Sequence, residues 1–304
     1  MDLMTFFWES WNMQWVENVV AGAACGIMDQ AAIVCGEENC ILPMLCQPCR
    51  IFSPIVLPPG ICIWGIDSME SRSTTSFVYE KARAAAFMGY NLICRRIGIE
   101  VVPERGAKIP RWTDSRFNGY LSNLAPSQFR DQFERWLPES LGGREFLDSV
   151  GEHVDPFTTI HPAEEYPVRA AVRYATEENL RVQTLFALLR TQWNEARSSM
   201  NLAGELLLQS HVAYAECGLR SAACDELVTR ALDAGLPGAK MTGGGAGGVV
   251  AILGRVADQR IIETIVREFA AQHGAVPHLF EGSSAGADSF GVRIVQLPRA
   301  TRTQ

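Results

Sequence analysis

Apolar and polar positions along the chain change period several times, and each change predicts an element. Residues 5–18 have helix-compatible composition, followed by a small-residue turn and a second helix from Met28 to Val34. Residues 39–47 and 61–66 read as strands, the first ending near Pro48 and the second opening after Pro58-Pro59-Gly60. An Ala- and Arg-rich helical pattern covers 76–96. From 97 to 166 the chain is irregular, with scattered Pro, Trp and Asp, as expected of an elaborated insert or a domain connection. Helices follow over 168–191, 197–217 and 221–234. The stretches 238–242 and 249–253 read as extended segments around a glycine run, with a helix over 256–273 and strands over 276–280 and 288–296. This alternation predicts α+β layers, an antiparallel sheet covered by helices on one face.

The 304 residues suffice for one large domain or two ordinary ones, and 47% hydrophobic with 20% charged residues supports a packed core. A net charge of -7 with no local Lys/Arg run argues against a nucleic-acid partner. No apolar run reaches the roughly 18 residues of a membrane span. Asp2, Glu9 and Glu17 interrupt the aromatic-rich start, which also lacks the basic n-region of a secretory signal. Nine scattered cysteines fit a reducing cytoplasm. Among Cys35, Cys40, Cys46 and Cys49 only the last pair has a zinc-like interval, so the expectation is reduced thiols and no metal-ligating residue.

Two features carry chemistry. Asp29, in Cys25-Gly26-Ile27-Met28-Asp29-Gln30, is a lone acid among small and apolar neighbours. Burying such a carboxylate is costly unless it is hydrogen-bonded or has a chemical task. The alternative is a first-turn acid that offsets the helix macrodipole. The second feature is Gly243-Gly244-Gly245-Ala246-Gly247-Gly248. It formally satisfies the dinucleotide fingerprint, but a β-branched apolar stretch follows where a helix should open, and no acid stands roughly twenty positions on. Two readings remain: a hairpin that needs glycine for close packing, or a loop whose successive N–H groups cradle phosphate.

Together, these segments resemble the GHMP small-molecule kinases, specifically the galactokinase and L-arabinokinase branch. Val16-Glu17-Asn18 through Gln30 is similar to the segment carrying that branch's catalytic aspartate, and Lys240 through Gly248 to its glycine-loop motif. Cys35-Gly36-Glu37, Cys46-Gln47-Pro48, Trp64-Gly65-Ile66-Asp67-Ser68, Ala86-Phe87-Met88-Gly89, Tyr214-Ala215-Glu216-Cys217-Gly218-Leu219 and Glu281 through Ala287 resemble the arabinokinase side. The resemblance spans nearly the whole chain and is weakest across 97–160. It implies an α+β, two-domain GHMP kinase-like fold. In it, 1–96 would be the remainder of a truncated ribosomal-S5-like N-terminal domain, 97–166 a variable connection, and 167–304 a ferredoxin-like C-terminal α/β domain.

The resemblance also implies ATP and Mg²⁺ as cofactors and a monosaccharide, L-arabinose or galactose, as partner, in a cytoplasmic enzyme. Asp29 would accept or orient the proton of the anomeric hydroxyl. Gly26 and Tyr79 would contact the sugar, Tyr79 by its place in Tyr79-x-x-x-Arg83, although an ordinary helix position explains that tyrosine equally. Gly243, Gly244, Gly245, Ala246, Gly247 and Gly248 would hold the phosphates. A lone helical histidine usually packs or caps, so His211 stays outside the catalytic set, and Asp225 reads as a first-turn acid.

The chain departs from this pattern at two places. Met69-Glu70-Ser71-Arg72 stands where the family has Arg-His, and neither the N-terminal Arg/Asp/Gly stretch nor a P-x-x-x-G-L-x-S-S-A loop precedes Asp29. The expectation is a truncated sugar-1-kinase, with a non-catalytic sugar- or nucleotide-sensing descendant as the alternative.

Overall fold

Alternating side chains in Ile61–Asp67 build the central strand, β1, of a four-stranded sheet. The computed structural model describes residues 10–46, 49–71, 77–103, 112–191, 193 and 197–291. β1 pairs antiparallel with β3 (Val249–Arg255) on one side and with β4 (Leu279–Glu281) on the other. β2 (Gly238–Met241) lies outside β3. The registers Ile66↔Val250 and Trp64↔Ile252, continued by Met241↔Val250 and Ala239↔Ile252, put these buried side chains on one face.

That face meets Leu227 and Ala231 of α5 (Ala222–Asp233) and Ile262, Ile265 and Phe269 of α6 (Gln259–His273). Each such large side chain, fully buried, contributes about 1.5–3 kcal/mol. The expected antiparallel sheet with covering helices is therefore observed. In addition, α4 (Arg197–Glu216) closes the β2 edge. Backbone meets backbone there: a Cβ on Gly204 would lie 1.9 Å from the Pro237 carbonyl oxygen. Covering an edge strand this way uses up its unpaired groups.

A second core joins α2 (Phe77–Arg96) and α3 (Val168–Thr191) to the irregular stretch, which contributes Phe117, Phe129, Phe133 and Phe146. Within it Asp114 accepts from Tyr90 Oη (2.6 Å) and from the amides of Arg116, Phe117 and Gly119 at 2.5–2.7 Å. The N-terminal helical region runs from 10 to 15 and ends in a π-helical turn, Val16–Val20. After a turn comes α1 (Met28–Cys35).

Two strand expectations fail. The 39–47 stretch holds only the two-residue strands Cys40–Ile41 and Met44–Leu45, paired to different partners, because Pro43 between them has no N–H for a continuous ladder. At 288–296, the first residues belong to the short helix Ala287–Phe290, ended by Gly291 at φ 65°. Residues 292–296 lie outside the described residues, as do 5–9, Gln47, Pro48 and Arg72.

Candidate functional site

Side chains of the preceding helix shape the turn before α1. Asn18 Oδ1 accepts the Cys25 amide at 3.0 Å and Gln14 Nε2 donates to the Cys25 carbonyl at 3.3 Å. Ala23, Ala24, Cys25 and Ile27 are buried while Gly26 stays exposed. Asp29 follows in the first turn of α1 and is also exposed. The burial cost foreseen from its apolar neighbours is thus not incurred, because Asp29 shares the exposed face of the helix with Met28 and Ile33 while Ala31 and Val34 turn inward. Burial first, and the charge of Asp29 second, push the Cys46 thiol above its ordinary value.

Cys46 lines a cavity of about 450 Å³ whose walls also include both sugar-contact candidates, Gly26 and Tyr79. Further walls come from Arg83 on α2, Tyr174 and Glu178 on α3, and Tyr214 and Leu219 at the end of α4. Arg83, one helical turn after Tyr79, forks onto Asp155 through Nε (2.8 Å) and Nη2 (2.9 Å). Its Nη1 reaches the Ala24 carbonyl at 3.5 Å. Asp155 Oδ2 also accepts from Thr158 Oγ1 at 2.7 Å. Burial lowers the pKa of His153, the next group along, against the pull of Asp155.

The glycine loop joins β2 to β3 as a hairpin. Gly243, Gly245, Ala246, Gly247 and Gly248 all have positive φ, which explains the composition. At Gly247 (φ +122°) a Cβ would stand 2.8 Å from the Glu70 carbonyl oxygen. Part of the loop's donor capacity is used internally: Ala246 N donates to Leu219 O (2.9 Å), Gly248 N to Glu70 O (3.1 Å), and Gly247 N to Met241 Sδ (3.5 Å). The turn at 243–244 directs the Gly245 amide back toward the Thr242 carbonyl, and among the described residues the amides of Gly243 and Gly244 meet no protein acceptor. The close-packing reading is met in the C-terminal half of the loop, which is a packed clamp.

Residues outside the expected site hold the base of this hairpin. Met241 N donates to His211 Nδ1 at 3.3 Å, so the ring proton sits on Nε2, which faces Asp225 at 3.0 Å. His211 is thus a packed, strand-fixing residue, and Asp225 combines its first-turn position with that pairing. Glu70 accepts from Ser221 Oγ (2.5 Å) and Ala223 N (3.2 Å), capping α5 while its carbonyl clamps the loop. No sequence signal marked Glu70, because its partners lie about 150 positions away.

Magnesium is usually bound through one or two carboxylates together with substrate phosphates. Among the described residues no group of three or more His, Cys, Asp or Glu could hold a metal ion. No helix of the described residues is long and apolar enough to cross a membrane.

A sheet backed by helices, with a glycine hairpin beside a cavity, defines the fold class, and that fold is the α+β fold of the GHMP kinases. A crystal structure of Lactococcus lactis galactokinase with galactose superposes at a TM-score of 0.63 and 19% identity, covering 90% of this chain and 58% of that one. In sequence, the chain is similar to L-arabinokinase of Arabidopsis thaliana, 34% identical over 91% of this chain and 29% of that protein. It is also similar to galactokinase of Streptomyces coelicolor, 28% identical over 94% of this chain and 62% of that one. These relatives are sugar kinases, and the chain spans less than two thirds of their length. No protein-family model matches.

Proposed function

We propose that this chain carries the acceptor side and glycine loop of an ATP-dependent sugar-1-kinase acting on L-arabinose or galactose. The observation that carries the reading is one cavity lined by Gly26 and Tyr79, whose wall also holds a loop in which, among the described residues, the Gly243 and Gly244 amides meet no acceptor. The anomeric oxygen attacks the γ-phosphorus, the bond from that phosphorus to the β–γ bridging oxygen breaks, and ADP leaves. Asp29 takes the proton released by the hydroxyl. Its solvent-facing carboxylate is available for this without being buried. Tyr79 and Gly26 orient the sugar, and the loop amides meet phosphate oxygens. Mg²⁺, when bound, neutralises charge on the ATP phosphates.

The test is ADP release from ATP with L-arabinose or galactose. Asp29→Asn should lower kcat by about 10²–10⁴-fold, the range for a general base. Undiminished turnover in that variant would remove Asp29 from the role. Sugar binding without any ADP release from the unmodified chain would favour the non-catalytic sensing alternative.

A further inference from the structure

One wall separates the cavity from the glycine loop, and it is made by the end of α4. Tyr214 and Leu219 line the cavity on one side. On the other they grip the loop at two points: Tyr214 Oη donates to the Gly243 carbonyl at 2.7 Å, and the Leu219 carbonyl accepts from Ala246 N at 2.9 Å. Both also close over Gly245, where a Cβ would lie 2.8 Å from Leu219 Cβ and 3.3 Å from Tyr214 Cδ1.

Tyr214 is itself held from several directions. Its ring centroid is 4.9 Å from that of Tyr174, the two rings inclined at 39°. The Lys240 ammonium stands 5.5 Å over its ring and is tied to Glu178 at 3.5 Å. Tyr174, Glu178 and Tyr79 line the cavity as well.

The carbonyl of Gly243 and the amide of Gly244 belong to one rigid peptide plane and point in opposite directions. A donor that fixes the carbonyl therefore aims the amide, and Gly244 N–H meets no acceptor among the described residues. We infer that Tyr214 is a positioning residue, which sets the phosphate-facing amides of the glycine loop from the wall of the cavity. A polyol against that wall and a phosphate on the loop then sense each other through one side chain. The identity of those two ligands rests on the proposed kinase reading; the hold on the loop does not.

Tyr214→Phe removes one hydroxyl and keeps the ring. Hydrogen exchange of peptides covering 242–249 is followed by mass spectrometry on the full chain without ligand. Losing one hydrogen bond should raise exchange of the loop by roughly three- to tenfold, with exchange over 22–28 and the melting temperature little changed. Tyr174→Phe, which keeps the ring against Tyr214 and leaves the Tyr214–Gly243 hydrogen bond in place, should raise it by less. With ligands, galactose or L-arabinose should tighten ADP binding to the unmodified chain. Tyr214→Phe should lose that tightening and lower kcat with little change in sugar KM.

Loop exchange that is the same in Tyr214→Phe as in the unmodified chain would overturn the inference. So would a rise in Tyr174→Phe as large as that in Tyr214→Phe, which would move the hold to ring packing. A loop loosened in Tyr214→Phe, together with no sugar or ADP binding to the unmodified chain, would sustain the positioning role and remove the kinase reading instead.

Discussion

Asp155→Ala should be among the most destabilising single substitutions in the chain. The Asp155 side chain is 0% exposed and Arg83 only 15%, and the two meet through a two-point fork. Removing the carboxylate leaves a guanidinium buried without its counter-charge, and such half-broken pairs typically cost about 3–5 kcal/mol. Thr158 Oγ1 loses its acceptor in the same step. Urea unfolding at pH 7, followed by tryptophan fluorescence, should show the midpoint falling at nearly constant slope. The double variant Arg83→Met/Asp155→Leu should recover most of the loss, because two apolar side chains need no counter-charge.

The pH dependence adds a second check. Burial alone would raise the Asp155 carboxyl, but the hydrogen bonds and charge of Arg83, helped by Thr158, outweigh it and hold the group below its ordinary value. A carboxyl depressed on folding contributes stability that is full above its unfolded pKa of about 3.9 and is lost as pH falls through the folded one. The gap between the unmodified chain and Asp155→Ala should therefore narrow below about pH 4. A loss under about 1 kcal/mol at pH 7 would refute the reasoning, since no buried pair could then have been broken.

Asp114→Ala strips the acceptor from the Tyr90 hydroxyl and three amides and should cost about 2–4 kcal/mol in urea unfolding; a neutral result would mean water replaces the carboxylate. Gly247→Ala forces an L side chain into φ +122° against the Glu70 carbonyl, so it should lower stability by about 1–3 kcal/mol and weaken ADP binding measured by calorimetry. Burial pushes the thiols of Cys25, Cys94 and Cys217 up to about 12. They should resist a disulfide-exchange reagent at pH 8 until the chain is unfolded, and rapid labelling of the folded chain would contradict their burial.

The elements legible in the sequence are those whose pattern is local. The 76–96 helix is observed as Phe77–Arg96, and the 61–66 strand as Ile61–Asp67, because periodicity and a Pro-Pro-Gly start act within a few residues. Alternation in that strand states which side chains share a face but not which strand lies beside it. Its partners, Val249–Arg255 and Leu279–Glu281, arrive nearly two hundred residues later. Pro43 carried the warning against a single 39–47 strand, yet the apolar run around it masks the missing donor.

The same division separates the site residues that motifs marked from those they did not. Gly26, Tyr79 and the glycine run stand in short strings with chemical meaning of their own. Arg83 was visible only as a neighbour of Tyr79, because its partner Asp155 lies 72 positions on, in a stretch without periodicity. Tyr214 stood in a quoted string with no role attached. Its importance comes from a helix end laid against a hairpin, where a hydroxyl meets the Gly243 carbonyl. Glycine composition supplies a loop that can present amides, but composition leaves their direction free. The direction has to come from side chains outside the loop, and those side chains also line the cavity.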